Sequence, residues 1–535
     1  MKDSKILKFA ARKLRGISDR DDAVRALEIR REMGVLSVVR EHSISENVSG
    51  IGLRPTDEMV GHDVEGESFS ELLDSCTVEE LEDWRSRKEA EFGRSIRDVD
   101  LKDPELDEDR RKNLRIARQE YERKAEIPDR VKEIVEGKDG LRQKWGRAEE
   151  FSEVRDEFVE VVKAFRESSG NDYGEVMSIW EPNVGRRRIE EVMEEIKSEA
   201  MEILRGLDPE RVDEVWQDVE ESIDTEARLA DIADNPVGMH EYLANYVLGG
   251  NPVKMPVRIG GSGMEYGNSV MAPLQTVEDR FWAKAFDTTA HEFGHTYGRE
   301  SLSSEHAFLP LGEPPSEAID EGTARFYQNQ VFRSKPFLTG FFGDSVREWF
   351  GKGSETPEFD DQQLYRWFNA IDPENRERVS ASPITYPLHI AVRYELEREL
   401  IEGDEPVEKM VEELDERWQQ KLQSYIGDPL GIEIDEMDDS KTVLQDVHWG
   451  KGKFGYFPTY TLGDVMAAKW RGDIEQDIGG FKQHLREGDL YQVDDWMVEN
   501  IWGYGKAVWD ESDHTRLGTE PYKEYMRKTA KIYTD

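Results

Sequence analysis

The chain is short of thiols, of basic charge relative to acidic charge, and of unbroken apolar stretches. A single cysteine, Cys76, excludes an internal disulfide and suits a reducing compartment. Asp and Glu number 116 against 72 Lys and Arg, a formal net charge of −44. Such a surface repels phosphate backbones and anionic membranes, which excludes the electrostatic footprint of a nucleic-acid binder. No run reaches 18 apolar residues, so no membrane span is expected. The charged start, Met1 to Lys5, has no secretory pattern, and a cytoplasmic location is expected. High charge with low hydrophobicity also occurs in disordered chains, but 13 Trp, 21 Phe and 18 Tyr argue for a folded core. Excess carboxylate keeps a surface hydrated and salt screens its self-repulsion. The charge balance therefore points to a halophilic protein from a salt-rich cytoplasm, an ordinary acidic cytosolic protein being the alternative.

Most of the chain has helical periodicity, with apolar positions every three or four residues between charges, as in Val154, Phe158, Val161 and Val162. Residues 44–70 hold the clearest linker composition, with Gly50, Gly52, Pro55, Gly61 and Gly66. A helix is expected over 187–205, and long amphipathic helices over 385–402 and 405–424. Residues 248–270 differ: glycine pairs flank Val253 to Ile259, a pattern for a short strand or hairpin near the following motif. The fold class expected is mainly α.

The stretch Ala290-His291-Glu292-Phe293-Gly294-His295 carries the pattern His-Glu-x-x-His. On a helix, positions four apart lie on one face a turn apart, so His291 and His295 can each give a nitrogen to one Zn²⁺, with Co²⁺ as a possible substitute. Glu292 projects beside them, where it could take a proton from water at the metal as general base. A catalytic zinc wants three protein ligands and an open position. Glu321, 30 positions after His291 (321 − 291), stands in a second helix opened by the N-cap residue Ser316. It is the expected third ligand, with Asp320 and Glu317 as competing choices. Such a site hydrolyses amides.

Further stretches carry a resemblance. Thr385 to Glu397, the segment Leu444-Gln445-Asp446-Val447-His448-Trp449, and Phe454-Gly455-Tyr456-Phe457-Pro458-Thr459-Tyr460 resemble the Taq-type thermostable zinc carboxypeptidases, helical peptidases distantly related to neurolysin. The likeness runs from about residue 110 to the C-terminus. It implies a large two-lobed helical fold with a deep active-site cleft, a homodimer, and broad-specificity removal of C-terminal residues from peptides. Residues 1–100 are then a charged helical N-terminal region of unassigned role, and 101–535 the catalytic domain. The resemblance further implies zinc ligation by His291, His295 and Glu321 and catalysis by Glu292. It implies oxyanion donors among His448, Tyr456 and Tyr460, and substrate contacts from Arg378, Gln445 and Arg258. A guanidinium at Arg378 suits a bidentate grip on a terminal carboxylate. His389, on an apolar helix face, reads as a satisfied core histidine.

The chain also departs from the family pattern. His-Pro-Phe becomes Asn251-Pro252-Val253, Asp-x-Arg-x-Thr keeps only Arg258, and His-Glu-Ser-Gln becomes Asp320-Glu321-Gly322-Thr323. The last residue of Ile-Arg-x-x-Ala-Asp becomes Ser382. Ligands and base survive while their surroundings change. The alternatives are therefore an oligopeptidase that cuts short peptides internally, or a peptide-binding homologue without turnover.

The charge excess predicts a melting temperature that rises steeply between about 0.1 and 2 M KCl, over which the Debye length falls from about 10 Å to below 3 Å. Thermal melts across that range check it, and an unchanged, fully active protein at low salt would reject halophilic adaptation.

Overall fold

The computed structural model describes residues 92, 95–97 and 99–232 except 105, 124, 125 and 138. It also describes 257–260, 264–266, 269–273, and 282–534 except 303–305, 307, 308, 346–360 and 436. The linker at 44–70, the stretch Asn251-Pro252-Val253 and nearly all of 1–100 lie outside the described residues. The described architecture is mainly α-helical with one small sheet.

Contacts divide the chain into two compact units. One gathers Met1–Lys124, Ser301–Pro315 and Val498–Ser512. Its core packs Phe92, Ile96, Val99, Leu114 and Leu309, and Arg118 donates from Nε and Nη2 to the carbonyl of Ile96. The other comprises Ala125–Glu300, Ser316–Met497 and Asp513–Asp535 and holds every residue discussed below.

In this second unit, helix α1 (Arg155–Ser169) buries Phe158, Val161, Val162 and Phe165. Helix α2 (Arg186–Gly206) buries Ile189, Val192, Ile196 and Leu204, as the helical period requires. The sheet follows: β1 (Val257–Gly260), β2 (Met264–Tyr266) and β3 (Ser269–Pro273), in the order β1-β3-β2. β1 runs parallel to β3 and β2 antiparallel to it. The β element expected at 248–270 is thus present, and β2 and β3 both pack against the next helix. That helix, α3 (Trp282–Glu300), carries the His-Glu-x-x-His motif and continues two residues beyond Gly298. Helix α4 (Glu317–Arg325) opens where Ser316 accepts from the Ile319 N–H. It passes into a π-helical turn, Phe326–Phe332.

Helix α5 (Tyr386–Glu402) and helix α6 (Pro458–Asp477) are buried on nearly all sides, so the helix expected at 385–402 is present but is not amphipathic: it runs through the core with buried residues all round. The helix expected at 405–424 is instead divided into Val407–Glu412 and Leu414–Leu422, followed by a π turn at Gln423–Gly427. His389 is fully buried, but neither ring nitrogen has a hydrogen-bond partner. Burial, with Arg393 nearby, holds the imidazole neutral, so its packing follows the expectation and its polar satisfaction does not.

Three helices meet through glycine. A Cβ on Gly294 of α3 would lie 2.5 Å from Cα of Ala324 in α4, and one on Gly463 of α6 would lie 2.7 Å from the Gly322 nitrogen. These are backbone-to-backbone contacts that no rotamer can relieve. Gly294→Ala should therefore lower unfolding free energy by about 1–3 kcal/mol. Gly472→Ala, which meets nothing within 4 Å in α6, should stabilise by up to about 1 kcal/mol through helix propensity. Denaturant unfolding in molar KCl compares the two.

Candidate metal centre

The α3–α4 contact delivers Glu321 to the two imidazoles. Nε2 of His291 and Nε2 of His295 face one another at 3.2 Å. Oε2 of Glu321 lies 3.6 Å from the first and 3.7 Å from the second. Ligand bonds of about 2.0–2.1 Å at tetrahedral angles separate ligand atoms by about 3.3–3.4 Å, so the three atoms are spaced to hold one divalent ion. These three residues form the group of His, Cys, Asp or Glu side chains, among the described residues, that could hold a metal. Glu321 is buried and its Oε2 has no hydrogen-bond partner, which is costly unless a cation or donor stands there. The donor set and this orphaned oxygen fit a metal.

Two of the ligands, Glu321 and His295, have polar groups behind them. Tyr456 donates from its hydroxyl to Oε1 of Glu321 at 2.7 Å and lies 3.1 Å from Oε2 of Glu317, leaving Oε2 of Glu321 toward the imidazoles. Nδ1 of His295 lies 3.2 Å from Oδ2 of Asp320. Glu317 and Asp320, the competitors for third ligand, thus stand one step out. Burial would push His295 down, but Asp320 and Glu321 outweigh it and bring the imidazole up to about 10, whereas burial carries His291 well below the ordinary range. Glu292 is partly buried, and that burial raises its carboxyl.

Behind the pair runs a buried charge network. Arg333 and Gln328 both bind Asp287, at 2.6 and 2.8 Å, one helical turn before His291. Arg325 binds Gln328 and forms a bidentate pair with Asp464 at 2.9 and 3.1 Å. The π turn sets Gln328, Asn329 and Arg333 against α3 and α6, and fully paired charges of this kind fix relative helix position.

The other expected residues assemble beside the metal ligands. His448 lies between Asp446, at 3.0 Å from Nδ1, and the Tyr460 hydroxyl, at 3.1 Å from Nε2. Its ring stacks on Tyr456 with centroids 5.3 Å apart. Burial lowers the imidazole to about 4 against the pull of Asp446, so it is neutral at pH 7. Asp446 remains ionised despite burial because Arg393 pairs with it. It accepts the Nδ1 proton, and the Nε2 lone pair then accepts from Tyr460. Arg378 donates from Nη1 to the Tyr386 hydroxyl at 3.1 Å and sits over the Tyr460 ring at 4.8 Å. Gln445 accepts from Arg393 and from the Arg378 backbone and donates to the carbonyls of Arg376 and Lys441, so it braces the Arg378 segment. Arg258 is in β1, with its side chain outside what is described. Sequence reasoning missed the supporting roles of Asp446 and Arg393 and took Asp320 only as a competing ligand. The signal for Asp446 was its place two residues before His448; Arg393 offered none without the fold.

Residues 274–528 match the model of the carboxypeptidase Taq (M32) metallopeptidase family. Over 426 residues the chain is 27% identical to carboxypeptidase 1 of Bacillus subtilis, covering 75% of this chain and 78% of that one. Over 228 residues it is 36% identical to thermostable carboxypeptidase 1 of Thermus thermophilus, covering 43% and 42%. Among solved structures, a Pyrococcus furiosus carboxypeptidase superposes with TM-score 0.71 at 18% identity, covering 96% of this chain and all of the other. Trypanosoma cruzi metallocarboxypeptidase 1 superposes with TM-score 0.70 at 20% identity, covering 96% and 99%. At these identities the structural likeness speaks for the fold.

Glu181 bears on stability here. It is buried and accepts from the Ala318 N–H in the first turn of α4. Burial, opposed by that N–H, pushes its carboxyl up to about 8 from an ordinary 4.5. A folded pKa above the unfolded one gives stability that is complete below pH 4.5 and is lost as pH rises through 8. Glu181→Gln should therefore flatten the fall in unfolding free energy between about pH 5 and 8, a fall on the order of 1 kcal/mol per pH unit in the native protein. Denaturant titrations at several pH values measure it.

Proposed function

We propose that this chain, which belongs to the carboxypeptidase Taq (M32) metallopeptidase family, is a zinc-dependent metallocarboxypeptidase that removes C-terminal residues from peptides with broad specificity. The observation carrying the reading is the convergence of His291 Nε2, His295 Nε2 and Glu321 Oε2 on one point. Such His₂Glu donor sets suit zinc, with Co²⁺ as a substitute.

Zinc held there supplies a Lewis acid for the scissile carbonyl and acidifies water. Glu292 takes the proton of the attacking water and hands it to the leaving amine. Its raised carboxyl pKa brings it nearer the value a base needs at neutral pH. Arg378, whose charge is kept by the surrounding Tyr386, Tyr460 and Asp446, grips the terminal carboxylate, and that grip makes the enzyme an exopeptidase. Tyr456 and Tyr460 serve as oxyanion donors by turning their hydroxyls from their present acceptors, Glu321 Oε1 and His448 Nε2, to the reacting carbonyl when substrate binds. Gln445 supports the carboxylate grip by bracing the Arg378 segment, and Arg258 is proposed as a further substrate contact on the family resemblance alone. Residues 101–535 form the catalytic domain and 1–100 a separate N-terminal region. The protein works as a homodimer in a salt-rich cytoplasm, a setting supported by its single cysteine and its charge of −44. Among the described residues no helix is long and apolar enough to cross a membrane.

Digestion of a ten-residue peptide in molar KCl, followed by mass spectrometry, tests this. Expected are losses of single C-terminal residues, abolished by a chelator and by Glu292→Gln, and blocked by amidating the peptide. Arg378→Ala should lower kcat/KM by two orders of magnitude or more. Internal cuts that ignore amidation would instead establish an oligopeptidase.

A further inference from the structure

The two histidines are supported unequally. Their Nε2 atoms face each other and Glu321, so each Nδ1 points away. Behind His295 that nitrogen is 3.2 Å from Oδ2 of Asp320, within ion-pair range though not in line for a hydrogen bond. Among the described residues no carboxylate pairs with Nδ1 of His291. The same Oδ2 of Asp320 accepts from Nη2 of Arg299 at 2.8 Å. Arg299 follows His295 by four positions on α3, so the helix puts both on one face, opposite Asp320. Asp320 is buried and its Oδ1 has no partner; its charge is therefore spent on these two neighbours.

A carboxylate behind a ligating imidazole does two things. It accepts the Nδ1 proton, so the lone pair must be on Nε2, and it offsets the positive charge that the ring acquires on binding a cation. Where the family pattern His-Glu-Ser-Gln has a histidine, this chain places a carboxylate. Arg299 opposes it, since a guanidinium on the same oxygen draws the charge away from His295. Arg299 is half exposed, with 46% of its side-chain surface open to solvent, against 5% for Asp320.

We infer that Asp320 is a positioning residue that acts through His295 to set how tightly this chain holds its metal, and that Arg299 acts on the same carboxylate in the opposite direction. The inference rests on the metal-site reading given above. It deepens that reading by assigning the affinity to a pair of residues outside the ligand set.

The test is equilibrium competition for zinc between the full-length protein, stripped with a chelator, and a chromogenic chelator in molar KCl. Melting of each metal-free variant is recorded beside it. Asp320→Asn keeps the shape and removes the charge, and it should raise the zinc dissociation constant about 10- to 100-fold with metal-free melting within a few degrees of native. Arg299→Gln should lower the constant severalfold. A purely structural role predicts no tightening from any substitution, so the opposite signs are the signature. Native protein that takes up no zinc would fail the metal reading itself. Native protein that binds zinc, with Asp320→Asn within threefold of it or Arg299→Gln equal or weaker, overturns this inference alone. If Asp320→Asn does not fold, the sign for Arg299→Gln decides.

Discussion

Where α3 crosses α4, Gly294 presents a bare Cα to the backbone of Ala324, and Gly322 in turn meets Gly463 of α6. A carboxylate one residue before Gly322 can reach imidazoles three positions before and one position after Gly294 only because no side chain separates the helices. Glu321 has a reach of a few ångströms; a methyl group in the contact would use much of it. The ligand spacing of 3.2 to 3.7 Å is thus a product of helix packing, and the paired charges of Arg325, Asp464, Arg333 and Asp287 hold that packing in register.

Around the three ligand atoms two of the ligands are backed by polar groups: Tyr456 occupies one oxygen of Glu321 and Asp320 stands behind His295, while the near oxygen of Glu321 is buried without a hydrogen-bond donor. The aromatic wall follows the same logic: Arg393 keeps Asp446 charged, Asp446 orients His448, and His448 holds the Tyr460 hydroxyl. In low dielectric such chains strengthen one another and a gap in one is costly. The departures from the family pattern fall at positions such as Asp320 and Ser382, next to these chains rather than at the ligands.

What could be seen in the sequence was what depends on spacing. A four-residue interval on a helix put His291 and His295 together, and Ser316 marked the start of the helix that carries Glu321. The mainly helical class and the small β element followed from periodicity and glycine content. What stayed hidden depends on partners distant in the chain. Asp320 was one of three candidate ligands, and only the crossing of α3 and α4 turns it toward the back of His295. The bracing by Gln445 and the pairing of Arg393 with Asp446 join residues 52 and 53 positions apart, beyond any local pattern. The break within 405–424 passed unseen because it is a single residue, Glu413, between Val407–Glu412 and Leu414–Leu422, with no proline or glycine to mark it.

Glu397 on α5 accepts from the Tyr173 hydroxyl, the Trp449 indole and the Gly455 N–H, partners 224, 52 and 58 positions away. It thereby anchors the turn that leads into Tyr456, itself 135 positions beyond Glu321. On the ribosome, the ligand triad is complete once residue 321 has emerged, whereas its tyrosine brace and the Gly463 contact must await the last quarter of the chain. Closing loops of that length is slow and entropically expensive. Synthesis therefore delivers the three ligands well before the segments that hold them in register and wall the site, and a prematurely terminated chain carries its ligands without either.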